Sequence, residues 1–406
     1  MTGMTTKKID RTAGVKLVLI SAFTYIALGA FSPFISAYYT SRGLSAAKIG
    51  ILLAIGPVGS VLIQPLWANL SDRTGKRRTI YLLVAAGACL MELTYYLAGS
   101  FTGFFTATVL AQCFITALIP LGDAIIIDQA HKHHLEFSRM RLGGTLGWTA
   151  FVILFGRIEK WMPSSIFALT AAGYLLLAAT TLTLPADVNE APIHKMPQKQ
   201  EKKTTLAGIS PSGVYTDSDW ILILLIAFTC QMGLQFMTSF FGVYVVKIGY
   251  AQTQLGYLNA LSAFSEVPVL ILVSRFVKKY GLMPMLFFAC FMIPVRALLL
   301  TTGQLPFFYL SQATQGITYM TVHYCTSMWV YDHVAAGKLS EGQSILGAVQ
   351  YGLGCITGSV VGGFLVDAVG LRSAFTTDAV LVFCVTTVLL LVWRCRQSAG
   401  RRRKTA

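Results

Sequence analysis

The chain has 406 residues, 55% of them hydrophobic and only 12% charged, with a mean hydropathy of +0.64. A water-soluble protein carries about twice that charged fraction, so a soluble globular fold is excluded. The net charge of +15 would point to nucleic acid if it formed one basic face, but the cations lie between apolar blocks and at both ends, where membrane topology accounts for them.

Those blocks run to about 20 residues, the length that crosses ~30 Å of hydrocarbon at 1.5 Å per residue. MTGMTTKKIDRTAGVK is basic, yet the apolar run behind it reaches Tyr39. That is too long for the apolar core of a cleaved signal, so a first spanning helix that stays is expected. In chain order the predicted spans are 15–39, 46–70, 79–98, 103–129, 140–157 and 163–184, then 220–246, 252–275, 282–302, 305–333, 342–366 and 371–394. The expected fold class is therefore an all-α membrane protein of twelve transmembrane helices. Residues 185–219, rich in Pro, Lys and small polar residues, read as a flexible linker. The expected domains are a bundle of six helices over 1–184, the linker 185–219, a second such bundle over 220–394, and a basic tail over 395–406.

Lysine and arginine set the orientation. With loops numbered alternately, 24 fall on the side of the N-terminus and six on the other. Both termini and the linker are expected in the cytoplasm of a bacterial cell, with the chain multi-pass in the plasma membrane. The halves also repeat. Ala22-Phe23-Thr24 recurs as Ala227-Phe228-Thr229 at an offset of 205, and Tyr38, Gly43 and Gly50 recur as Tyr244, Gly249 and Gly256 at an offset of 206. Two pseudo-symmetric halves of this kind are common in secondary transporters, whose substrate site lies where the halves meet. Gly354, Gly358 and Gly362, and likewise Gly143 and Gly147, form faces that let helix backbones approach closely.

Eight cysteines lie far apart in sequence, and no HExxH, CxxC or GxSxG is present. No metal and no cofactor is expected. An enzyme embedded in the membrane would need such a centre, so the chain is expected not to be an enzyme. A sensor that binds without transporting is the other alternative.

Ionisable groups at membrane depth usually face a cavity or a partner. Asp123, in the fourth span, lies ~9 Å below its end, within reach of Arg141 at the start of the fifth. Glu266 and Arg296 come at matching depth in the eighth and ninth spans, while Glu92 in the third has no evident partner. Each pair reads either as a fixed salt bridge or as a carboxylate that binds and releases a proton beside an answering Arg. Asp128, Asp332 and Asp378 fall nearer span ends, where ordinary solvation is expected.

ANLSDRTGKRR, residues 68–78, resembles the signature loop of the major facilitator superfamily. Asp72, Arg73, Gly75, Lys76 and Arg77 fall on its positions, with Ala68 in place of the leading glycine. Asp72 can cap a helix start and pair with an Arg, while Gly75 permits a tight turn; the cluster would act as a conformational gate. The chain resembles in particular the lactose permease and phenylpropionate permease-like branch. That resemblance implies substrate binding by Asp123, Arg141 and Trp148, whose order and spacing match, and by the segment QATQGITYMTVH. There Gln315 and Thr318 stand where the sugar permease has its His and Glu, and His323 is placed like a histidine of the phenylpropionate-type members. Glu266 and Arg296, with Asp123, would couple a proton. The implied function is a proton-coupled symporter importing a sugar, a nucleoside or an aromatic acid. Its expected partners are solute, proton and membrane lipid, with no nucleic acid and the chain acting as a monomer.

Overall fold

The computed structural model describes residues 11–158, 165–185, 218–334 and 338–405, which form helices and short turns. The helices are α1 (Arg11–Phe31), α2 (Ile35–Ser41), α3 (Ala46–Leu62), α4 (Gln64–Thr74), α5 (Arg77–Glu92), α6 (Phe101–Lys132), α7 (Phe137–Ile158) and α8 (Ser165–Leu182). Then follow α9 (Ser218–Lys247), α10 (Gln252–Tyr280), α11 (Leu282–Thr301), α12 (Leu305–Ala313), α13 (Gln315–His333), α14 (Leu339–Gly347), α15 (Cys355–Val369) and α16 (Leu371–Thr405). A 3₁₀ turn, Leu93–Leu97, follows α5, and a π-helical stretch, Ala348–Gly354, joins α14 to α15. The fold class is all-α, as the apolar blocks imply. Ten helical segments among the described residues are long and apolar enough to cross a membrane. The other two predicted spans are helical as well. One is α7, which carries Arg139, Arg141 and Arg157; the other is split at Thr314 into α12 and α13. The count of twelve is compatible with this. Most of the 185–219 linker, residues 186–217, lies outside the described residues.

Apolar side chains stay exposed along the helices, Leu66, Leu146, Phe264 and Ile271 among them, as a surface that meets hydrocarbon should. Pro57, Pro120, Pro268 and Pro294 lie within helices, whereas Pro33 and Pro65 sit where α1 gives way to α2 and α3 to α4. The internal repeat is visible in the backbone. Gly43 (φ 78°) and Gly249 (φ 94°) both end a helix in the left-handed region that glycine adopts without a Cβ clash. Leu44 N–H bonds to Tyr39 O and Tyr250 N–H bonds to Val245 O, so one cap recurs at the offset of 206.

Two compact units emerge: Met1–Ile35 with Gly59–Pro197, and Ser36–Val58 with Gln198–Ala406. In the first, α1 packs on α7 and α8, and the α7 glycines permit the close approach to α7. A Cβ on Gly143 would stand 2.6 Å from Val18 O, and one on Gly147 3.0 Å from Ala22 O. In the second, the face of Gly354, Gly358 and Gly362 lies on α9, where a Cβ at 358 would come 2.3 Å from Met232 O. Residues 36–58 group with this second unit for a physical reason. Cβ atoms at Gly50 and Gly363 would strike Ser359 O and Ala46 O at 2.2 and 2.4 Å. Asp367 also accepts from the Ala46 and Ala47 amides, each at 2.9 Å, capping the start of α3.

α10 and α13 approach closely at Gly316, where an added Cβ would strike Ser265 O. Gly316→Ala should force the two helices apart and cost about 1–3 kcal/mol, read as a lowered thermal unfolding temperature of the purified protein. An unchanged transition would refute this packing.

Candidate functional site

In the first unit α6 supplies Asp123 and α7 supplies Arg141. Arg141 Nη1 donates to Asp123 Oδ1 at 2.9 Å, with the two side chains 36% and 27% exposed. The pair is half-buried rather than sealed, so its outer lone pairs and N–H groups stay available. Tyr25 of α1 lies under the guanidinium, 4.5 Å from ring centroid to Cζ, which holds the Arg by its face and leaves its edge for hydrogen bonds. On the inner side, the Tyr81 hydroxyl lies against Gly122, beside Asp123. That hydroxyl meets Thr24 Oγ1 at 3.0 Å. Thr24 already donates to Ile20 O at 2.9 Å, so Tyr81 is the donor between them. Trp148, two turns beyond Arg141 on α7, packs its ring against α1 at Gly29.

In the second unit the groups converge from five elements. Arg296 of α11 is buried (3% exposed). Its Nε donates to Ser311 O at 2.9 Å and its Nη1 to Thr318 Oγ1 at 2.8 Å. Glu266 of α10 is hydrogen-bonded by Gln315 of α13 and lies within electrostatic reach of Arg296. The two sequence-matched depths therefore do meet, though each charge has its own polar partner and no direct ion pair joins them. Gln315 and Thr318, at the positions where the resemblance places a His and a Glu, are those partners. Beyond them, Tyr319 and Tyr351 hydrogen-bond each other, and Tyr351 Oη meets His323 Nδ1 at 2.8 Å. Tyr351 stands in the π-helical stretch, a type of irregularity that recurs at functional sites.

The signature loop folds locally as expected at Gly75, which closes α4 in the left-handed region (φ 66°). Asp72 is corrected in its detail: it sits in the last turn of α4 rather than at a helix start, and α5 begins at Arg77 without a side-chain cap. Asp72 does approach Arg77, at 3.7 Å, in an exposed pair of the kind that contributes about 0–1 kcal/mol. The neighbour Arg78 does more. With Lys16 it donates to the last carbonyls of α8, Thr181, Leu182 and Thr183, closing that helix end. Arg73 and Lys76 border the same turn.

Several polar groups escaped the sequence reading. Nothing in the sequence sets Tyr25, Tyr81 and Tyr351 apart from ordinary membrane aromatics, and only the packing of other helices turns their hydroxyls or faces to the charges. Asp378 was expected to be solvated near a span end. It is instead 7% exposed against Gly233, with Oδ2 unpartnered, because α9 covers it. Asp332 is exposed and Asp128 pairs with Lys132 at 3.2 Å, as their positions imply. Cys230 and Cys290, sixty residues apart, bring their sulfurs within 3.1 Å.

A family model described as the MFS_1 like family matches residues 15–377. The chain belongs to this family. It is a multi-pass membrane transporter and not an enzyme. It is 25% identical over 383 residues to the maltose permease of Geobacillus stearothermophilus, covering 93% of this chain and 94% of that one. It is 24% identical over 359 residues to the "Probable 3-phenylpropionic acid transporter" of Escherichia coli (strain K12), covering 86% and 90%. The crystal structure of the nucleoside transporter NupG superposes with a TM-score of 0.84 at 16% identity, covering 94% of this chain and 99% of that one. The fold is thus the major facilitator fold, as the signature loop implies.

Arg296 gives the sharpest energetic test in this site. Thr318→Val keeps shape and removes one acceptor from a buried guanidinium, at a cost of about 1–3 kcal/mol. Thermal unfolding should shift down accordingly, and more than for Thr321→Val, whose hydroxyl has no such charge to meet.

Proposed function

We propose that this transporter is a proton-coupled symporter that imports a small solute rich in hydroxyls, a nucleoside or a sugar, by alternating access. The observation that carries the reading is the half-buried Asp123–Arg141 pair. A carboxylate accepts from sugar or ribose hydroxyls while the guanidinium edge donates to them, and the pair stays neutral overall for a neutral solute. Trp148, two turns away on the same face of α7, offers an apolar ring face for the solute. Relatives that carry maltose and nucleosides support this solute class. Glu266, tied to Gln315 and in reach of Arg296, is the proton carrier of the second unit, with Asp123 its counterpart in the first. Gln315 and His323 extend the solute-facing polar surface. Asp72, Arg73, Gly75, Lys76 and Arg77 form the gate loop. The 24-to-six asymmetry of Lys and Arg supports cytoplasmic termini in the bacterial inner membrane, with the chain working as a monomer of two six-helix halves, 1–184 and 220–394.

Uptake into proteoliposomes, with labelled nucleosides, sugars and aromatic acids offered side by side, tests the reading. An inward proton gradient should stimulate uptake of a nucleoside or a sugar. Indifference to the gradient would remove the coupling, and uptake of aromatic acids alone would replace the solute class. Asp123→Asn and Arg141→Lys should each lower uptake about tenfold or more, since one hydrogen bond to a charged group contributes about 1.5–3 kcal/mol. Normal transport in both variants would take the pair out of the site.

A further inference from the structure

The proposed mechanism leaves the carboxyl group of Glu92 unused. Glu92, the last residue of α5, is completely buried (0% exposed), and neither of its oxygens has a hydrogen-bond partner. An ionised carboxylate so placed would cost several kcal/mol or more, while the neutral acid avoids most of that cost. Glu92 therefore sits in this conformation as an acid with its proton on, in a setting that would hold no charge at rest.

Its surroundings are polar but incomplete. Tyr174 Oη of α8 is buried without a partner, and so is Thr170 Oγ1, one turn away on the same helix face. The titratable groups within electrostatic reach of Glu92 are Cys89, on its own helix, and Tyr174. No cation among the described residues lies in reach of it. On the α6 side, Tyr95 is tied to Thr108 at 2.9 Å. Tyr174 is also in electrostatic reach of Tyr81, and Tyr81 of Asp123. Tyr81 in turn holds Thr24 at 3.0 Å. Two buried phenols, Tyr174 of α8 and Tyr81 of α5, therefore feel the charges at Glu92 and at Asp123 in turn. A tight, poorly bonded 3₁₀ turn begins at the residue after Glu92, Leu93–Leu97. The regular α-helix therefore ends directly beside the carboxyl.

We propose that Glu92 is a second proton-binding site, emptied and refilled during turnover and coupled to Asp123 through the phenols of Tyr174 and Tyr81. The carboxyl O–H bond breaks when the proton passes to water and forms again when one returns. The phenols keep their own protons and act as oriented dipoles, so a charge on Glu92 disfavours a charge on Asp123 across a medium of low dielectric. The inference rests on the proton-coupled reading above, which uptake assays test separately.

Infrared difference spectroscopy of the purified protein in lipid bilayers reads this group directly. The wild type should show a protonated-carboxyl C=O band that Glu92→Gln removes, and a pH step or solute addition should change its intensity. Tyr174→Phe, which leaves the carboxyl in place, should shift that band and so serves if Glu92→Gln does not fold. Glu92→Gln that folds with an unchanged thermal transition should lose stimulation by the proton gradient. A Glu92 band that never responds makes the residue a permanent packing acid and overturns the proposal, as does the absence of any such band. If the band responds while wild-type uptake ignores the gradient, the symport reading falls and the proton site stands. If the gradient drives uptake and the band is invariant, the proton site falls and symport stands.

Discussion

Hydrocarbon offers no water to an amide or to an ionised side chain, and this constraint orders most of what the chain does. Every backbone group must close within a helix, which is why the described residues form helices and short turns. Every charge at depth must be met by protein. Arg296 is met by a carbonyl and a hydroxyl, Arg141 by a carboxylate and an aromatic face, and Glu266 by an amide. Among the described residues, Glu92 and Asp378 are the two carboxyls for which the fold supplies less than the charged form needs. By contrast, the Asp72–Arg77 pair is exposed and loosely spaced, and its geometry is correspondingly undemanding.

A second regularity links packing to chemistry. The helices approach closely where glycine removes the side chain, at Gly143 and Gly147 against α1, Gly358 against α9 and Gly316 against α10. Three of the places where they lose regularity carry polar groups. Gln315 opens α13 just after the break at Thr314, Tyr351 lies within the π-helical stretch, and Glu92 stands directly before the 3₁₀ turn. An irregular turn frees or redirects backbone groups and re-aims a side chain. These three positions are where the transporter concentrates its unusual backbone and its unusual side chains together.

The family resemblance and the local chemistry agree on architecture and diverge at one point. The positions where the sugar permease of the branch carries His and Glu hold Gln315 and Thr318 here. Neither is ionisable, yet each binds a neighbouring charge, one on Glu266 and the other on Arg296. Proteins of one fold carrying unlike solutes differ in this manner, by exchanging side chains on a common set of helices.

The sequence alone determined the class and the landmarks. Apolar blocks of spanning length, the sparse charges within them and the DRTGKR loop are local properties, and hydrocarbon penalises each residue wherever its helix ends up. Positions such as Asp123, Arg141, Glu266 and Arg296 were legible because a charge in such a block is costly. What only the tertiary structure decided is which partners those charges meet. Tyr25, Tyr81 and Tyr351 are indistinguishable in sequence from lipid-facing aromatics, and Asp378 reads as solvated until α9 covers it. Helix rotation and the approach of neighbours, set by glycines far apart in the chain, choose the face each side chain shows, and a linear pattern does not encode that choice.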